Sequence, residues 1–343
     1  MDQGDSKSYR QGLVSVIIPV LNRAHLVVQA IESVRAQTWS EVEIIVVDDG
    51  SSDNIREVVE PYKDVLFLSQ EWQGQPAARN LGLHQAQGEY ICSLDSDDLW
   101  CPTFLEKSIH ALLELNADFV FSNWSEQQAD QTVCLSNFER YYFWWHFPIT
   151  GVNGWRLMAP EAARAMYLDS CVSPSSSLVF RRERMAGSWT PGLLIADDWC
   201  ILLDTILSRP CRVGFTMQRL WTKRVTGDNI CDGQNPFEIR RKLWNKDFSF
   251  LFDRLRAKLT RAESGKFSRR LAVNSLELMR SQWIVGNSAA SLQAAGMMIK
   301  ALANAVAAAP ITFVQKLIRN EVYQFPQASA EDLEREVYSA NEL

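Results

Sequence analysis

Residues 13–124 alternate short apolar runs with amphipathic stretches, and this alternation limits the fold more than any other feature of the chain. The apolar runs are residues 14–18, 43–47, 65–68, 90–94 and 118–121. Helical patterns separate them near residues 25–37, 54–62, 76–87 and 102–115. Strands that are apolar at nearly every position and joined by helices are typical of a parallel sheet covered on both faces. The pattern predicts a doubly wound α/β fold with a mostly parallel, Rossmann-like sheet.

Polar residues follow the predicted strands at the places where ligands bind in such a fold. In open α/β sheets the ligand crevice lies outside the carboxyl ends of the strands. The segments expected there are residues 19–22, 48–53, 73–80 and 95–98, which are rich in Asp, Asn and small residues. The sequence therefore predicts a polar binding crevice at this edge.

The rest of the chain divides into regions of different composition. Residues 125–235 are less regular; they contain an aromatic run at 141–145 and an acidic pair, Asp197 and Asp198, that opens a helical pattern. Beyond residue 236 helix-forming residues dominate, and one apolar stripe is typical of an amphipathic helix. That stripe consists of Trp244, Phe248, Leu251, Leu255 and Leu259. We predict a flexible terminus at 1–12, a ligand-binding half at 13–124, a second half at 125–235 and a helical region at 236–343.

The composition excludes several classes of protein. The chain has 343 residues and a net charge of −6, whereas proteins that track the nucleic-acid backbone need a basic surface. No stretch of about 18 apolar residues occurs and the first ten residues are polar, so we expect no transmembrane segment, no signal peptide and a cytoplasmic location. Seven cysteines without a C-x-x-C spacing argue against a disulfide framework and a thiolate zinc site.

The first acidic motif is IIVVDDGSSD at residues 44–53. Asp48 and Asp49 end a buried strand, and carboxylates there are suited to accept hydrogen bonds from a nucleobase imide or from ribose hydroxyls. Ser52 or Asp53 is expected to serve as the N-cap of the following helix.

The second acidic motif is YICSLDSDDLW at residues 90–100. Asp95, Asp97 and Asp98 would repel one another unless a cation lies among them, and sites made only of oxygen ligands suit Mg²⁺ or Mn²⁺. An isolated D-x-D can equally be a solvated acidic turn. Its place at a strand end, beside a second carboxylate pair, favours the cation.

Four segments, in this order, resemble the family-2 glycosyltransferases of the GT-A fold. They are VSVIIPVLN, IIVVDDGSSD, GQPAARNLGLHQAQGEYICSLDSDD and IADDW, and the likeness extends from residue 13 to about residue 230. The resemblance implies an inverting hexosyl- or N-acetylhexosaminyltransferase that uses a nucleotide sugar and Mn²⁺ or Mg²⁺. UDP is the expected nucleotide, with GDP and dTDP as alternatives.

The resemblance also implies roles for single residues. Asp97 would bind the metal, with Asp98 beside it, and Arg79 would lie near the base or the diphosphate. Contacts to the nucleotide sugar are expected from Pro19, Val20, Leu21, Asn22, Asp49, Arg79, Asp95 and Ser96.

The IADDW segment is expected to supply the base of the reaction. Charge developing on the diphosphate calls for a cation, and a general base must deprotonate the acceptor from the opposite face of the sugar. By motif position Asp198 is that base, Asp197 stands where the family commonly has Glu, and Trp199 packs behind or contacts the acceptor. The structural alternative is an acidic helix N-terminus, which the helix dipole favours.

Two departures from the family pattern concern the metal and the nucleobase. Thr226, in LWTKRVTGDNI, stands where the family often has His, and no His follows His146. Thr226, Asp228 or water would complete the coordination sphere, so weak cation affinity is predicted. Leu21 stands where the family often has Tyr. Lys223 and Arg224 are expected either to share the leaving-group charge or to be ordinary strand-end cations.

The acceptor is expected to be a growing glycan, free or lipid-linked. Trp144 and Trp145 could offer a platform for sugar rings or belong to the core. A protein or peptide side chain is the alternative acceptor, and a catalytically inactive nucleotide-sugar-binding module is the alternative class. The C-terminal helices are expected to pack on the catalytic domain or to form a homodimer rather than bind a membrane, although a peripheral place at the inner face of the plasma membrane stays open.

Overall fold

A mixed sheet of ten strands forms the centre of the computed structural model, which describes residues 9–136, 138, 144, 146–227, 229, 239, 241–284 and 286–308. The strands are β1 (Arg10–Val20), β2 (Val42–Asp48), β3 (Val65–Ser69), β4 (Gly88–Ser93), β5 (Leu99–Trp100), β6 (Phe119–Gln127), β7 (Val133–Leu135), β8 (Trp155–Met158), β9 (Leu178–Arg181) and β10 (Val213–Arg224). Their order is β3-β2-β1-β4-β9-β6-β10-β5, with β7 beside β6 and β8 beside β10.

The helices fall where the sequence predicts them in the first half and dominate the end of the chain. They are α1 (Ala24–Arg35), α2 (Ile55–Val59), α3 (Gln75–Gln85), α4 (Phe104–Glu114), α5 (Pro160–Asp169), α6 (Asp197–Ser208), α7 (Phe248–Leu255), α8 (Arg261–Ile284) and α9 (Ser288–Ala308). A π-helical segment, Arg241–Asp247, precedes α7. The predicted α/β class with a helical C-terminal region is confirmed.

The first four strands of the predicted pattern form a parallel block. β1 pairs in parallel with β2 and β4, and β2 pairs in parallel with β3. Val16, Ile18 and Val46 are completely buried, as expected for strands covered on both faces. A Cβ atom at Gly82 of α3 would come within 2.6 Å of Ile17 Cγ2. Helix α3 therefore packs directly on β1, and the strand ends meet at one edge.

The second half of the sheet is mixed rather than mostly parallel. β9 lies between β4 and β6 and is antiparallel to both. β10 runs parallel to β6 but antiparallel to β5 and β8. The predicted parallel pairing therefore holds for the first block and for the β6–β10 pair, whereas β5, β7, β8 and β9 join the sheet antiparallel to their neighbours.

The C-terminal helices pack on the second half. The Phe248 ring lies 5.4 Å from the Trp199 ring and stacks on Phe267 at 4.2 Å. Arg164 Nε of α5 lies 2.7 Å from Glu263 Oε1 of α8. The side chain of Trp244 lies outside the described part of the structure. No helix in the described ranges combines the length and the apolarity needed to cross a membrane.

Candidate active site

Asp49 holds the loop that leads into α3. Its Oδ1 accepts hydrogen bonds from Gln70 Nε2 at 2.6 Å and from the Gln73 amide at 2.9 Å, and its Oδ2 accepts the Gly74 amide at 2.8 Å. Asp48 Oδ1 accepts the Ser51 amide at 2.8 Å. Both carboxylates therefore shape the crevice through backbone contacts, and a base contact from Asp49 stays a prediction.

The end of β1 meets the turn that follows β2. Asn22, at φ 54°, accepts the Ser52 amide through Oδ1 at 2.8 Å. Pro19 and Val20 are buried, whereas Leu21 and Asn22 are exposed at the crevice. The four residues expected around a nucleobase thus divide into a buried floor and an exposed rim.

Asp53 caps a different helix from the one expected. Its Oδ2 accepts the amide of Ala24, the first residue of α1, at 2.9 Å. Neither Ser52 nor Asp53 caps α2, whose N-cap residue is Asn54 without a side-chain cap bond. The local N-cap prediction was therefore wrong. The Asp53 carboxylate instead binds the first backbone amide of α1, which has no hydrogen-bond acceptor within its own helix.

The three acidic residues after β4 converge. Each of Asp95, Asp97 and Asp98 offers a carboxylate oxygen within 4.8 Å of the others. Asp97 and Asp98 are buried, as is Ser96. Burial raises the pKa of the Asp98 carboxyl well above its usual range, and the neighbouring Asp97 and Asp95 add to this. The pKa of Asp97 is raised by burial and by Asp95, while Arg23 opposes the change.

Cationic and amide groups already contact the triad. Arg23 Nη1 donates to Asp97 Oδ2, and Asn229 Nδ2 donates to the same oxygen at 2.8 Å. Arg224 Nε donates to the carbonyl of Asp97, and its Nη1 donates to Gln29 Oε1 at 2.6 Å. Arg224 therefore supports the segment that carries the triad.

Thr226 reaches the triad through a residue that the sequence analysis missed. Its amide donates to Asn229 Oδ1 at 2.8 Å, and Asn229 in turn contacts Asp97. Asp228, a suggested metal ligand, lies outside the described residues. The Asn that follows the family's His position could have pointed to Asn229, but an isolated Asn in a turn carries little signal.

Arg79 joins the triad to the second acidic pair. Its Nη2 lies 2.7 Å from Asp95 Oδ1. Its Nη1 contacts Asp197 Oδ2 and lies 3.2 Å from Asp198 Oδ1. The Arg79 side chain is 1% exposed and is engaged by these carboxylates, and its expected contact with the base or the diphosphate stays a prediction. One buried cation thus connects two groups of acids that are far apart in sequence.

The acidic pair occupies the first two positions of α6, and its environment suits a base. Burial raises the pKa of the Asp198 carboxyl, and Arg79 opposes this. Burial also raises the pKa of Asp197, again against Arg79. Trp189 Nε1 donates to Asp198 Oδ1 at 3.3 Å. A carboxylate whose pKa moves toward the working pH is a more effective proton acceptor.

A serine turn before β9 contacts both groups of acids, and the sequence analysis missed it. Ser176 Oγ donates to Asp98 Oδ2 at 2.6 Å and accepts the Asp95 amide at 3.1 Å. The adjacent Ser175 hydrogen-bonds Asp198. The only signal was the SPSSS segment, and serines are common in turns for local reasons.

Two of the three tryptophans expected as possible acceptor contacts are buried in the core, and the third lies outside the described residues. Trp144 is completely buried, its Nε1 donates to the Phe138 carbonyl at 2.8 Å, and its ring lies 4.9 Å from that of Phe215. It therefore belongs to the core, which was one of the two alternatives that the sequence left open for this residue. Trp145 lies outside the described residues. Trp199 packs behind the acids as expected, with Nε1 donating to the Tyr167 carbonyl at 2.7 Å.

Comparison with known proteins finds a match to a family model within the first half of the chain. Residues 15–167 match the family model for glycosyl transferase family 2. The UDP-Glc:alpha-D-GlcNAc-diphosphoundecaprenol beta-1,3-glucosyltransferase WfgD of Escherichia coli is 40% identical over 115 residues, which are 33% of this chain and 46% of that protein. The putative teichuronic acid biosynthesis glycosyltransferase TuaG of Bacillus subtilis is 35% identical over 125 residues, 35% of this chain and 50% of that protein. The matches thus span half or less of these relatives.

A solved structure has the same fold over most of the chain. TarS 1–349 of S. aureus, determined in complex with UDP-GlcNAc, is similar with a TM-score of 0.52 and 16% sequence identity. The likeness covers 92% of this chain and 94% of that one. It therefore extends through the C-terminal helices as well as the sheet.

Proposed function

We propose, from the family-2 glycosyltransferase domain that residues 15–167 match, that this chain transfers a sugar from a nucleotide sugar to an acceptor hydroxyl with inversion. One observation carries the proposal: Arg79 contacts both Asp95 of the triad and Asp198 of the second pair. A cation site for the leaving group and a base for the acceptor then lie on either side of the reacting sugar.

A UDP-sugar is the proposed donor. The E. coli relative is named for UDP-Glc, and the S. aureus protein was solved with UDP-GlcNAc. Asp49 and the segment from Pro19 to Asn22 are proposed to contact the nucleobase, and Asp95 and Ser96 the ribose. We propose residues 13–124 for donor binding and residues 125–235 for the acceptor and the base.

The residues after β4 fit a divalent cation. Three carboxylates with oxygens within 4.8 Å of one another provide the hard ligands that Mg²⁺ and Mn²⁺ prefer. Asp97 would hold the ion, with Asp95 and Asp98 beside it. A bound cation would neutralise the negative charge that develops on the diphosphate. Because Arg23 already contacts Asp97, the ion has to displace an ion pair, and we expect weak affinity.

Asp198 is the proposed general base. As the acceptor oxygen attacks the anomeric carbon, Asp198 takes its proton, and the bond from that carbon to the diphosphate oxygen breaks on the opposite face. A single displacement of this kind inverts the anomeric configuration. Arg79 favours the ionised form of Asp198, because its positive charge opposes the effect of burial on the pKa of that carboxyl.

The proposed acceptor is a hydroxyl of a growing glycan. The E. coli relative is named for a sugar acceptor on a lipid diphosphate and the B. subtilis relative for teichuronic acid biosynthesis, which supports a glycan over a protein side chain. Lys223 remains a proposed leaving-group contact, whereas the buried bonds of Arg224 to Asp97 and Gln29 suit a supporting role.

A donor panel tests the proposal. UDP-, GDP- and dTDP-sugars are assayed for binding by thermal shift and for hydrolysis, with and without Mn²⁺. A ligand at 100 times its Kd stabilises the native state by about 2.7 kcal/mol. We expect a shift with one or more UDP-sugars and slow release of UDP. Absence of any shift with all donors in the presence of metal would contradict the proposal.

A further inference from the structure

A carboxylate from the C-terminal region binds the loop that leads into the acidic pair. Asp247 ends the π-helical segment Arg241–Asp247 and is completely buried. Its Oδ2 accepts three consecutive backbone amides: Leu194 at 2.9 Å, Ile195 at 2.6 Å and Ala196 at 3.0 Å. Ala196 immediately precedes Asp197 and Asp198.

These bonds replace a cap that the local sequence lacks. Ala196 is the N-cap residue of α6 and makes no side-chain cap bond, yet its carbonyl accepts the Cys200 amide at 2.8 Å and so starts the helix. Since an ionised acceptor forms stronger hydrogen bonds than a neutral one, the Asp247 carboxylate determines where the chain enters α6.

The packing of the next residue also fixes the position of the Asp247 carboxylate. Phe248, the next residue, is completely buried and packs against Trp199 in the first turn of α6. Asp247 Oδ1 is buried and, within the part of the chain that the structure describes, has no hydrogen-bond partner. Burying a carboxylate with one unsatisfied oxygen is costly, which fits a residue kept for position and not for stability.

We infer that Asp247 is a positioning residue that places the Asp198 carboxylate for proton transfer, which makes the C-terminal helical region part of the catalytic unit. The inference rests on the proposed function of Asp198. Asp198 is two residues beyond the last amide that Asp247 binds. A displacement of about 1 Å in a reacting group can reduce the rate about 100-fold.

The test compares Asp247→Ala with Asp204→Ala in the full chain. Asp204 is a matched control, since it is a buried carboxylate of the same helix that also contacts the C-terminal region, through Arg254 at 2.8 Å and Lys258 at 3.1 Å. We expect Asp247→Ala to lower kcat about 100-fold with unchanged donor Kd and a shifted acid limb of the pH profile. Asp204→Ala should lose thermal stability to a similar degree but keep its kcat and its pH profile.

The Asp247→Asn variant distinguishes a loss of loop position from a general loss of folding. Its amide oxygen can still accept the three amides, so it should recover at least tenfold of the kcat lost in Asp247→Ala. Failure of this rescue, or equal losses of kcat in Asp247→Ala and Asp204→Ala, would overturn the inference.

Amide hydrogen exchange tests the inference without depending on catalytic activity. The amides of residues 194–196 should exchange about tenfold faster in Asp247→Ala, since they lose their acceptor, and at the unmodified rate in Asp204→Ala. Unchanged exchange in Asp247→Ala would overturn the inference. If the unmodified protein acts on no donor, the proposed function fails, while this measurement still decides whether Asp247 holds the loop.

Discussion

Nη1 of Arg79 lies 3.2 Å from Oδ1 of Asp198, while Nη2 of the same guanidinium lies 2.7 Å from Oδ1 of Asp95. A single side chain thus fixes the distance between the proposed cation site and the proposed base. It also favours the ionised form of the proposed base, because it opposes the rise in the pKa of Asp198 that burial causes.

Replacing Arg79 should damage both the fold and the chemistry. Arg79→Gln leaves buried carboxylates without their counterion, which costs about 3–5 kcal/mol when one partner of a buried pair is removed. The pKa of Asp198 should then rise further, since Arg79 is the strongest of the influences that lower it. The base would stay protonated up to a higher pH, so the acid limb of kcat/KM should move upward. A pH–rate profile measures this shift.

Arg79→Lys is the control for that prediction. It keeps the positive charge but loses the forked contact geometry of guanidinium, so the rate should fall while the acid limb moves less than in Arg79→Gln. Equal shifts in the two variants would show that the charge of Arg79 does not set the pKa of Asp198.

Asp198→Asn should abolish transfer and leave donor binding intact. General-base catalysis contributes about 10²–10⁴ in rate, and the amide cannot accept the proton. Donor Kd from calorimetry should stay within about threefold, or about 0.7 kcal/mol, because Asp198 is proposed to contact the acceptor and not the donor. Asp169→Asn, at a half-exposed ion pair with Arg270, serves as the control. Near-normal transfer by Asp198→Asn would refute its assignment as the base.

Arg23→Ala should tighten cation binding. Arg23 and a divalent ion compete for the Asp97 carboxylate, and a hydrogen bond to a charged group is worth about 1.5–3 kcal/mol. We expect the Mn²⁺ Kd, measured by calorimetry, to fall by about ten- to a hundredfold. Arg35→Ala is the control, because Arg35 ends the helix that Arg23 precedes and contacts Glu32 and Asp64 at the surface. Unchanged Mn²⁺ affinity in Arg23→Ala would exclude this competition.

Thr226→His should also strengthen the cation site and change its selectivity. Thr226 contacts Asn229, which contacts Asp97, and imidazole prefers Mn²⁺ and other transition metals over Mg²⁺. The ratio of Mg²⁺ to Mn²⁺ Kd should therefore rise by about tenfold, or about 1.4 kcal/mol. Thr226→Asn, which adds an oxygen ligand of similar size, should leave the ratio nearly unchanged. An unchanged ratio in Thr226→His would place residue 226 outside the coordination sphere.

Gly88→Ala should destabilise the parallel block. A Cβ atom there would come within 2.6 Å of the Leu13 carbonyl oxygen, and overpacking of this kind costs about 1–3 kcal/mol. Gly151→Ala is the control, since nothing lies within 4 Å of its Cβ position. Denaturant unfolding compares the two free energies. Equal stability of both variants would contradict the tight contact between β1 and β4.

The strands of the first half could be predicted because each strand segment is apolar at nearly every position, which by itself indicates burial on both faces. Residues 44–47 are apolar at every position and are buried in β2. The direction of β9 could not be predicted in this way. Three of its four residues, 178–180, form the same kind of apolar run. Whether such a run enters the sheet parallel or antiparallel depends on pairing with strands that are far away in sequence.

The sequence by itself determined which carboxylates gather at the strand ends, since Asp95, Asp97 and Asp98 follow one strand and Asp197 and Asp198 open one helix. Only the tertiary structure decided what surrounds them. Arg79 lies 118 residues before Asp197, and Asn229 lies 132 residues after Asp97. The hydrogen bonds and charges that govern the pKa of a buried acid act over a few ångströms, so partners this distant in sequence become visible only when the chain is folded.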